Sequence, residues 1–254
     1  MIKLSILGTG NVATHLFKAL LQTDGVKIVE VVGRNEEALS KFAAQVPTSS
    51  DFSVLADADM YIIAVSDNSI NTVSELLTVK DRLIVHTSGS TPMEELSRHE
   101  RTGVFYPLQT FSSSNPVDFS KVPICVEAKN EEDLNLLKEL GARVSESVYE
   151  IGTEERRSLH LAAVFVNNFT NHLYHIGAQI CKENEVPFKV LAPLIQETAK
   201  KIETLSPYDG QTGPARRNDS KTITKHLEQI KNPEFKTVYE LLSKSIQTTY
   251  GKEL

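Results

Sequence analysis

Residues 2–13, Ile2-Lys3-Leu4-Ser5-Ile6-Leu7-Gly8-Thr9-Gly10-Asn11-Val12-Ala13, decide the fold. The apolar run Ile2 to Leu7 predicts a strand, and Gly8-x-Gly10-x-x-Ala13 predicts a tight turn opening a helix with apolar positions Val12, Leu16, Ala19 and Leu20. Each small residue has a physical task. Gly8 permits the turn, Gly10 lets the backbone approach a pyrophosphate, and Ala13 lets the helix pack on the strand. The helix N-terminus then offers N–H groups and the positive end of its dipole to the phosphates. An ordinary strand-to-helix turn is the alternative; the strand before it and the amphipathic helix after it favour a dinucleotide site built from Gly8, Thr9, Gly10, Asn11, Val12 and Ala13.

Working outward, Val26 to Val32 reads as a second strand and Glu36 to Ala44 as a helix, which completes a βαβ unit. Met60 to Val65 is a continuous apolar run, as expected of a strand covered on both faces. Further strands are expected at Leu83–His86, Gly103–Tyr106, Pro123–Val126 and Arg143–Glu150, with helices at Asn71–Leu77, Met93–Arg98 and Glu131–Leu140. Alternating strands and helices predict a doubly wound, mainly parallel α/β sheet of Rossmann type. From Thr153 the periodicity becomes helical, over Glu154–Glu183, Phe188–Thr204, Ser220–Ile230 and Pro233–Tyr250. We therefore expect a dinucleotide-binding domain over 1–151 and an all-helical substrate and dimerisation domain over 152–254.

The chain has 254 residues, 40% hydrophobic and 24% charged, with a formal net charge of −6. Such a composition describes a globular protein and disfavours a general nucleic-acid or anionic-membrane surface, because those partners reward clustered Lys and Arg. Cys125 and Cys181 have neither metal-ligand nor disulfide-framework spacing, and no apolar run approaches the ~18 residues of a membrane span. A cytoplasmic protein that binds no metal is expected.

The residue after the second strand selects the cofactor. NAD sites place a carboxylate there to bond the ribose 2′-hydroxyl; here Gly33-Arg34-Asn35 follows, and a guanidinium suits a 2′-phosphate. NADP is expected, with Arg34 and Asn35 at its ribose. Ligands of an open parallel sheet lie at the carboxyl ends of the strands. That brings in Val65, Ser66 and Asp67, the segment His86-Thr87-Ser88-Gly89, and Tyr106 at the head of Pro107-Leu108-Gln109-Thr110-Phe111. Ser88 is a candidate for both cofactor contact and catalysis, and Tyr106 for substrate contact. His86 reads more simply as a strand-end residue bonded to backbone than as an acid.

Mapped at about 100° per residue, the helix from 154 gathers Leu161, Phe165, Phe169, Leu173, Ile176 and Ile180 on one face. The opposite face carries His160, Asn167, Asn171, Tyr174 and His175, with Val164 among them. That face is polar but uncharged, as a cleft lining would be; the alternative is a set of side chains satisfied in a core. His160 and Asn167 are the candidate catalytic residues on it, and Asn171 a candidate substrate contact. Arg216 or Arg217, in the loop before the third helical run, would clamp a substrate carboxylate, and Asp219 or Ser220 would cap the helix that follows.

Taken together, Gly8-x-Gly10-x-x-Ala13, His86-Thr87-Ser88-Gly89, Tyr106-Pro107-Leu108-Gln109-Thr110-Phe111, Asn167-Asn168 and Gly213-Pro214 followed by Arg217-Asn218-Asp219 resemble the Rossmann-like NADP oxidoreductases that carry a C-terminal helical domain of unknown function. The resemblance spans nearly the whole chain. It implies membership of the wider 6-phosphogluconate dehydrogenase-like group, with the β-hydroxyacid dehydrogenases, pyrroline-5-carboxylate reductase and ketopantoate reductase, and a helical domain that closes over substrate and builds a dimer. Two departures stand out. Val164 occupies the place of the catalytic lysine of β-hydroxyacid dehydrogenases, which leaves His160, one turn earlier, as the proton donor; and Arg217-Asn218-Asp219 replaces the family's Arg-Gly-Asp. The expected function is hydride transfer between NADPH and a small carbonyl or imine compound bearing a carboxylate. An NADP-holding sensor without turnover is the alternative, and a deazaflavin-dependent reductase a third.

Overall fold

The computed structural model describes residues 1–113 and 115–251, which divide into two compact units, the chain passing from the first to the second between Asn167 and Asn168. In chain order the first unit contains β1 (Ile2–Leu7), α1 (Asn11–Leu21), β2 (Val26–Val32), α2 (Glu36–Leu39), β3 (Thr48–Ser49), β4 (Met60–Ile63), α3 (Ile70–Leu76), β5 (Leu83–His86), β6 (Arg101–Pro107), β7 (Ile124–Ala128), α4 (Glu131–Val144), β8 (Val148–Glu150) and α5 (Thr153–Ala163). The strands form one sheet in the order β3-β2-β1-β4-β5-β6-β7-β8, parallel except for the β6–β7 pair. This is a doubly wound Rossmann sheet, and the order reverses direction at β1/β4, where such sheets open a crevice.

The burial pattern follows from side chains alternating across each strand. Leu4 and Ile6 of β1, with Met60 and Ile62 of β4, pack under α1 and α4 through Leu16, Phe17, Leu20, Leu137 and Leu140. Leu7, Tyr61 and Ile63 face the other way, against Ile70, Val73 and Leu77. Every residue of β4 and β5 is buried, which is why β4 reads as an unbroken apolar run.

Three expectations are corrected. The helix expected over Glu36–Ala44 is regular only over Glu36–Leu39, and β3 follows where no strand was predicted, because two residues carry no period. The strand expected over Arg143–Glu150 begins at Val148, since α4 continues through Arg143 and Val144; its N-cap Asn130 accepts from the Asp133 N–H at 2.9 Å, and Asp133 is buried against Arg101.

The second unit contains α6 (Thr170–Glu183), α7 (Ala192–Lys201), α8 (Ser220–Gln229) and α9 (Pro233–Tyr250). Between α5 and α6 the helix runs through a π-helical segment, Val164–Phe169, whose wider turns break the 100° phase used to assign faces across that stretch. The boundary expected at 151/152 thus contrasts with a division at 167/168: α5 packs with the first unit. Among the described residues of the second unit only Ile176 and Ala215 are buried, while Val190 and Ile202 are each 64% exposed and Leu241 69%. Among the described residues no helix is long and apolar enough to cross a membrane.

Candidate functional site

At the β1/β4 switch point lies a cleft of about 520 Å³, lined by the glycine turn, the ends of β2 and β4, and Phe111. Gly8 has φ +134°, and a Cβ there would stand 2.1 Å from the Ala64 carbonyl oxygen, so no other residue fits the turn. Gly10 is different. Its φ is −74°, and a Cβ would meet nothing within 4 Å, so the missing side chain leaves open space beside the N-terminus of α1. That helix carries no acidic residue in its first turn and no side-chain cap, which leaves its N–H groups for an anion.

Nine of the expected cofactor residues line this cleft: Gly8, Thr9, Gly10, Asn11 and Val12 of the turn, Arg34 and Asn35 after β2, and Val65 and Ser66 after β4. Arg34 is exposed at its edge. Asn35 has a second task, since its Oδ1 accepts the Ala38 N–H at 3.0 Å and caps α2. Asn11 donates to the Phe111 carbonyl at 3.0 Å, which ties the turn to the loop after β6. Three expected residues do not line it. Ala13 is on the buried face of α1, where it does the expected packing; Asp67 accepts the Ser90 hydroxyl at 2.5 Å; and Ser88 is buried in the loop after β5. Reading the sequence missed Phe52, Ser69 and Val73 in the lining. Phe52 and Val73 belong to a core cluster and read only as core, and Phe52 follows the strand too short to recognise.

The loop after β5 forms a second cluster. His86 Nδ1 accepts the Ser88 N–H at 3.1 Å, the strand-end role expected for it. The Ser88 hydroxyl accepts from the N–H groups of Ser90, at 3.1 Å, and Thr91, at 2.9 Å, which folds the loop back over itself. Burial, and secondarily the Arg156 charge, push the His86 imidazole down to about 4, so the folded protein keeps it neutral. The sign follows from proton counting: between roughly pH 6.5 and 4 the unfolded chain protonates this histidine and the folded chain does not, so stability falls as pH falls through that window, by about 3 kcal/mol in all. His86→Asn, whose Oδ1 replaces Nδ1 as acceptor, should flatten the loss of melting temperature between pH 7 and 4.5. Parallel curves for parent and variant would refute this. His99, which burial also pushes down, titrates in both proteins and cancels.

Tyr106, at the end of β6, and His160, on α5, meet beside this loop. The Tyr106 hydroxyl lies 3.1 Å from His160 Nδ1, with the rings edge to face at 6.1 Å. Burial pushes Tyr106 up to about 12, so it keeps its proton, and its hydroxyl shares one hydrogen bond with His160 Nδ1. Gly89 makes the approach possible: a Cβ there would lie 2.6 Å from both His160 Nδ1 and the Tyr106 ring. The sequence singled out both partners for separate roles and could not show that they touch. It missed Arg156 and Glu127 altogether. Arg156 is wholly buried and paired with Glu127 at 3.0 Å. The available signal was spacing, because Arg156 lies four residues before His160 on one helix face.

Asn167 lies in the π-helical segment and is exposed, as is Asn171 on α6, so neither is a satisfied core residue. Val164 opens the same segment. Arg217 is exposed in the second unit, whereas the guanidinium of Arg216 stacks 4.7 Å over the Tyr250 ring. The turn that follows keeps its form without glycine: Asn218 takes φ +51°, and Asp219 caps α8 by accepting the Thr222 N–H at 3.1 Å.

Residues 3–89 match the family model "NADP oxidoreductase coenzyme F420-dependent", and residues 122–246 match a domain of unknown function, DUF2520. A crystal structure from Bacteroides fragilis, provisionally named an NADP oxidoreductase, is 39% identical over 97% of this chain and 98% of its own, with a TM-score of 0.89. The chain belongs to this NADP oxidoreductase family. More distant members of the fold include pyrroline-5-carboxylate reductase from Streptococcus pyogenes, 16% identical over 99% and 97% of the two chains with a TM-score of 0.65. Another is an imine reductase from Myxococcus stipitatus in complex with NADP+, 13% identical over 99% and 95% with a TM-score of 0.66. No curated protein matches the chain.

Proposed function

We propose that the protein is an NADP(H)-dependent reductase of a small carbonyl or imine compound bearing a carboxylate. The observation that carries the reading is the presence, at the carboxyl ends of the parallel strands of one sheet, of both a phosphate cradle and a hydrogen-bonded Tyr106–His160 couple. The residues fit the dinucleotide. Gly8 and Gly10 shape the turn, the α1 N-terminus would hold the phosphates, and Arg34, which lines the same cleft, would meet a 2′-phosphate. Bound there, the nicotinamide supplies hydride to an electrophilic carbon.

The protein's own part is then binding, orientation and proton supply. His160, its ring fixed by Tyr106, holds a proton on Nε2 for the substrate heteroatom. Asn167, exposed in the same unit, would orient polar substrate atoms; in the helical unit the candidate substrate contacts are Asn171 and Arg217, Arg216 being engaged with Tyr250. Ser88, whose oxygen accepts two loop N–H groups and lies 3.5 Å from the Ser90 hydroxyl, holds the loop in place beside the Tyr106–His160 couple. The names of the imine and pyrroline-carboxylate reductases of the same fold agree with the C=N alternative. Val164 in place of lysine favours the second reading, an NADP-binding sensor without turnover.

Calorimetric titration tests the cofactor. NADPH should bind at least tenfold more tightly than NADH, and Arg34→Ala should remove most of that preference, because only the 2′-phosphate distinguishes the two. Equal affinities in the parent protein would overturn it. Screening carbonyl and imino acids for NADPH oxidation separates the reductase from the sensor.

A homodimer through the helical unit belongs to the same reading. With two buried residues among those described in that unit, and Val190, Leu194, Ile202 and Leu241 each more than 60% exposed, its helices have apolar surface that a second copy would cover. Light scattering at micromolar concentration should give about twice the chain mass; a monomer throughout would contradict it.

A further inference from the structure

Arg156 carries a full charge with none of its surface exposed, and its partners lie at three separate places in the first unit. Nη1 donates to the carbonyls of Ser88 at 3.0 Å, Gly89 at 3.3 Å and Thr91 at 2.7 Å. Nη2 donates to Glu127 at the end of β7, at 3.0 Å, and to the Thr153 hydroxyl at 3.1 Å. Thr153 in turn donates its own hydroxyl to both oxygens of Glu127, at 2.8 and 3.0 Å. A charge withdrawn from water is retained at a cost unless it is paired and bonded in this way, and a loop could be folded with fewer means. The geometry also has a consequence beyond the loop. Arg156 and His160 lie one turn apart on α5, so the helix that carries the imidazole also grips the segment against which the imidazole rests. Gly89, one of the gripped residues, has no room for even a methyl group between itself and the Tyr106–His160 pair.

We propose that Arg156 is a positioning residue: by holding three carbonyls of the Ser88–Thr91 loop to the Glu127 carboxylate, it sets the spacing that keeps His160 Nδ1 on the Tyr106 hydroxyl and the proton on Nε2. A planar guanidinium does this because it offers several N–H bonds in fixed directions; an ammonium supplies the same charge from a single point. The role rests on the reading of His160 as proton donor for its effect on turnover, but the histidine tautomer can be read without any turnover.

Two variants of the full-length protein test it. Arg156→Lys keeps the charge and loses the fork. Thr153→Val removes one hydroxyl and keeps the Thr153 N–H that bonds Glu127 at 3.0 Å, so it serves where the lysine variant fails to fold. In ¹⁵N spectra of the histidine side chains, the parent should show His160 with an unprotonated Nδ1 and a protonated Nε2. Arg156→Lys should move the two resonances toward a tautomer average, and Thr153→Val should shift them part of the way. With an active substrate, kcat should fall about 10- to 100-fold in Arg156→Lys, since displacements near 1 Å act on that scale. NADPH affinity should stay within about twofold, because Arg156 does not line the glycine cleft. An unchanged His160 tautomer in the variants that fold, whatever happens to melting temperature, would overturn the positioning role. Loss of the parent tautomer signature in a protein with no turnover would retain that role and overturn the reductase reading alone.

Discussion

His160→Ala is expected to lower kcat on the order of 100-fold or more, with NADPH affinity unchanged, once a carbonyl or imine substrate is in hand. The side chain is placed for this: its Nδ1 is held 3.1 Å from Tyr106, and it does not line the cofactor cleft. Stability needs a control, because removing the imidazole leaves the buried Tyr106 hydroxyl unpaired at a cost of about 1–3 kcal/mol. Tyr106→Phe deletes that hydroxyl. The double variant should therefore recover much of the melting temperature lost by His160→Ala and none of the turnover. Asn167→Ala removes an exposed side chain and should shift stability by no more than about 0.5 kcal/mol while still reducing kcat. If no carbonyl or imino acid is turned over, and the two single alanine variants lose melting temperature together, the sensor reading replaces the reductase.

The glycine turn should separate folding from binding when its two glycines are replaced one at a time. Gly8→Ala places a methyl 2.1 Å from the Ala64 carbonyl oxygen in a backbone conformation that L-residues avoid, so β1 and β4 would have to part at their carboxyl ends. A loss of more than about 3 kcal/mol, and of NADPH binding with it, is expected. Gly10→Ala meets no atom within 4 Å at an ordinary φ, so the folded protein should be as stable as the parent or gain about 0.4–1 kcal/mol through a less flexible unfolded chain. Its methyl would nonetheless enter the space the pyrophosphate needs, and NADPH should bind at least tenfold more weakly. Melting curves and calorimetry on the two variants decide it. A Gly10→Ala protein that binds NADPH like the parent would show that the dinucleotide does not lie along this turn.

The exposed apolar residues of the helical unit and the polar, exposed Asn167 and Asn171 answer to one physical cause. A helix bundle of this length with two buried residues among those described spends its surface on something other than its own core. A second copy and the substrate would cover that surface, and light scattering and alanine substitution test the two independently.

What the sequence determined by itself was whatever a local pattern can carry. The strand-glycine-helix opening, the apolar β4, the change to helical periodicity after Thr153 and the capping Asp219 all depend on neighbours within a turn or two of chain, and each is found where its pattern placed it. The parallel sheet follows from strands and helices in alternation. Tertiary structure decided the rest. Tyr106 and His160 meet across 54 residues, and Arg156 reaches the Ser88 carbonyl across 68. No period or spacing records such a contact, because it exists only once strands β5 and β6 lie side by side and α5 packs with them. Phe52 entered the cleft from beside a two-residue strand too short to have a pattern, and the π-helical turn at Val164–Phe169 shifted faces that a constant 100° step had aligned. Residue types were written in the chain; which of them touch was settled by packing, since burying a charge such as Arg156 demands partners wherever the fold can supply them.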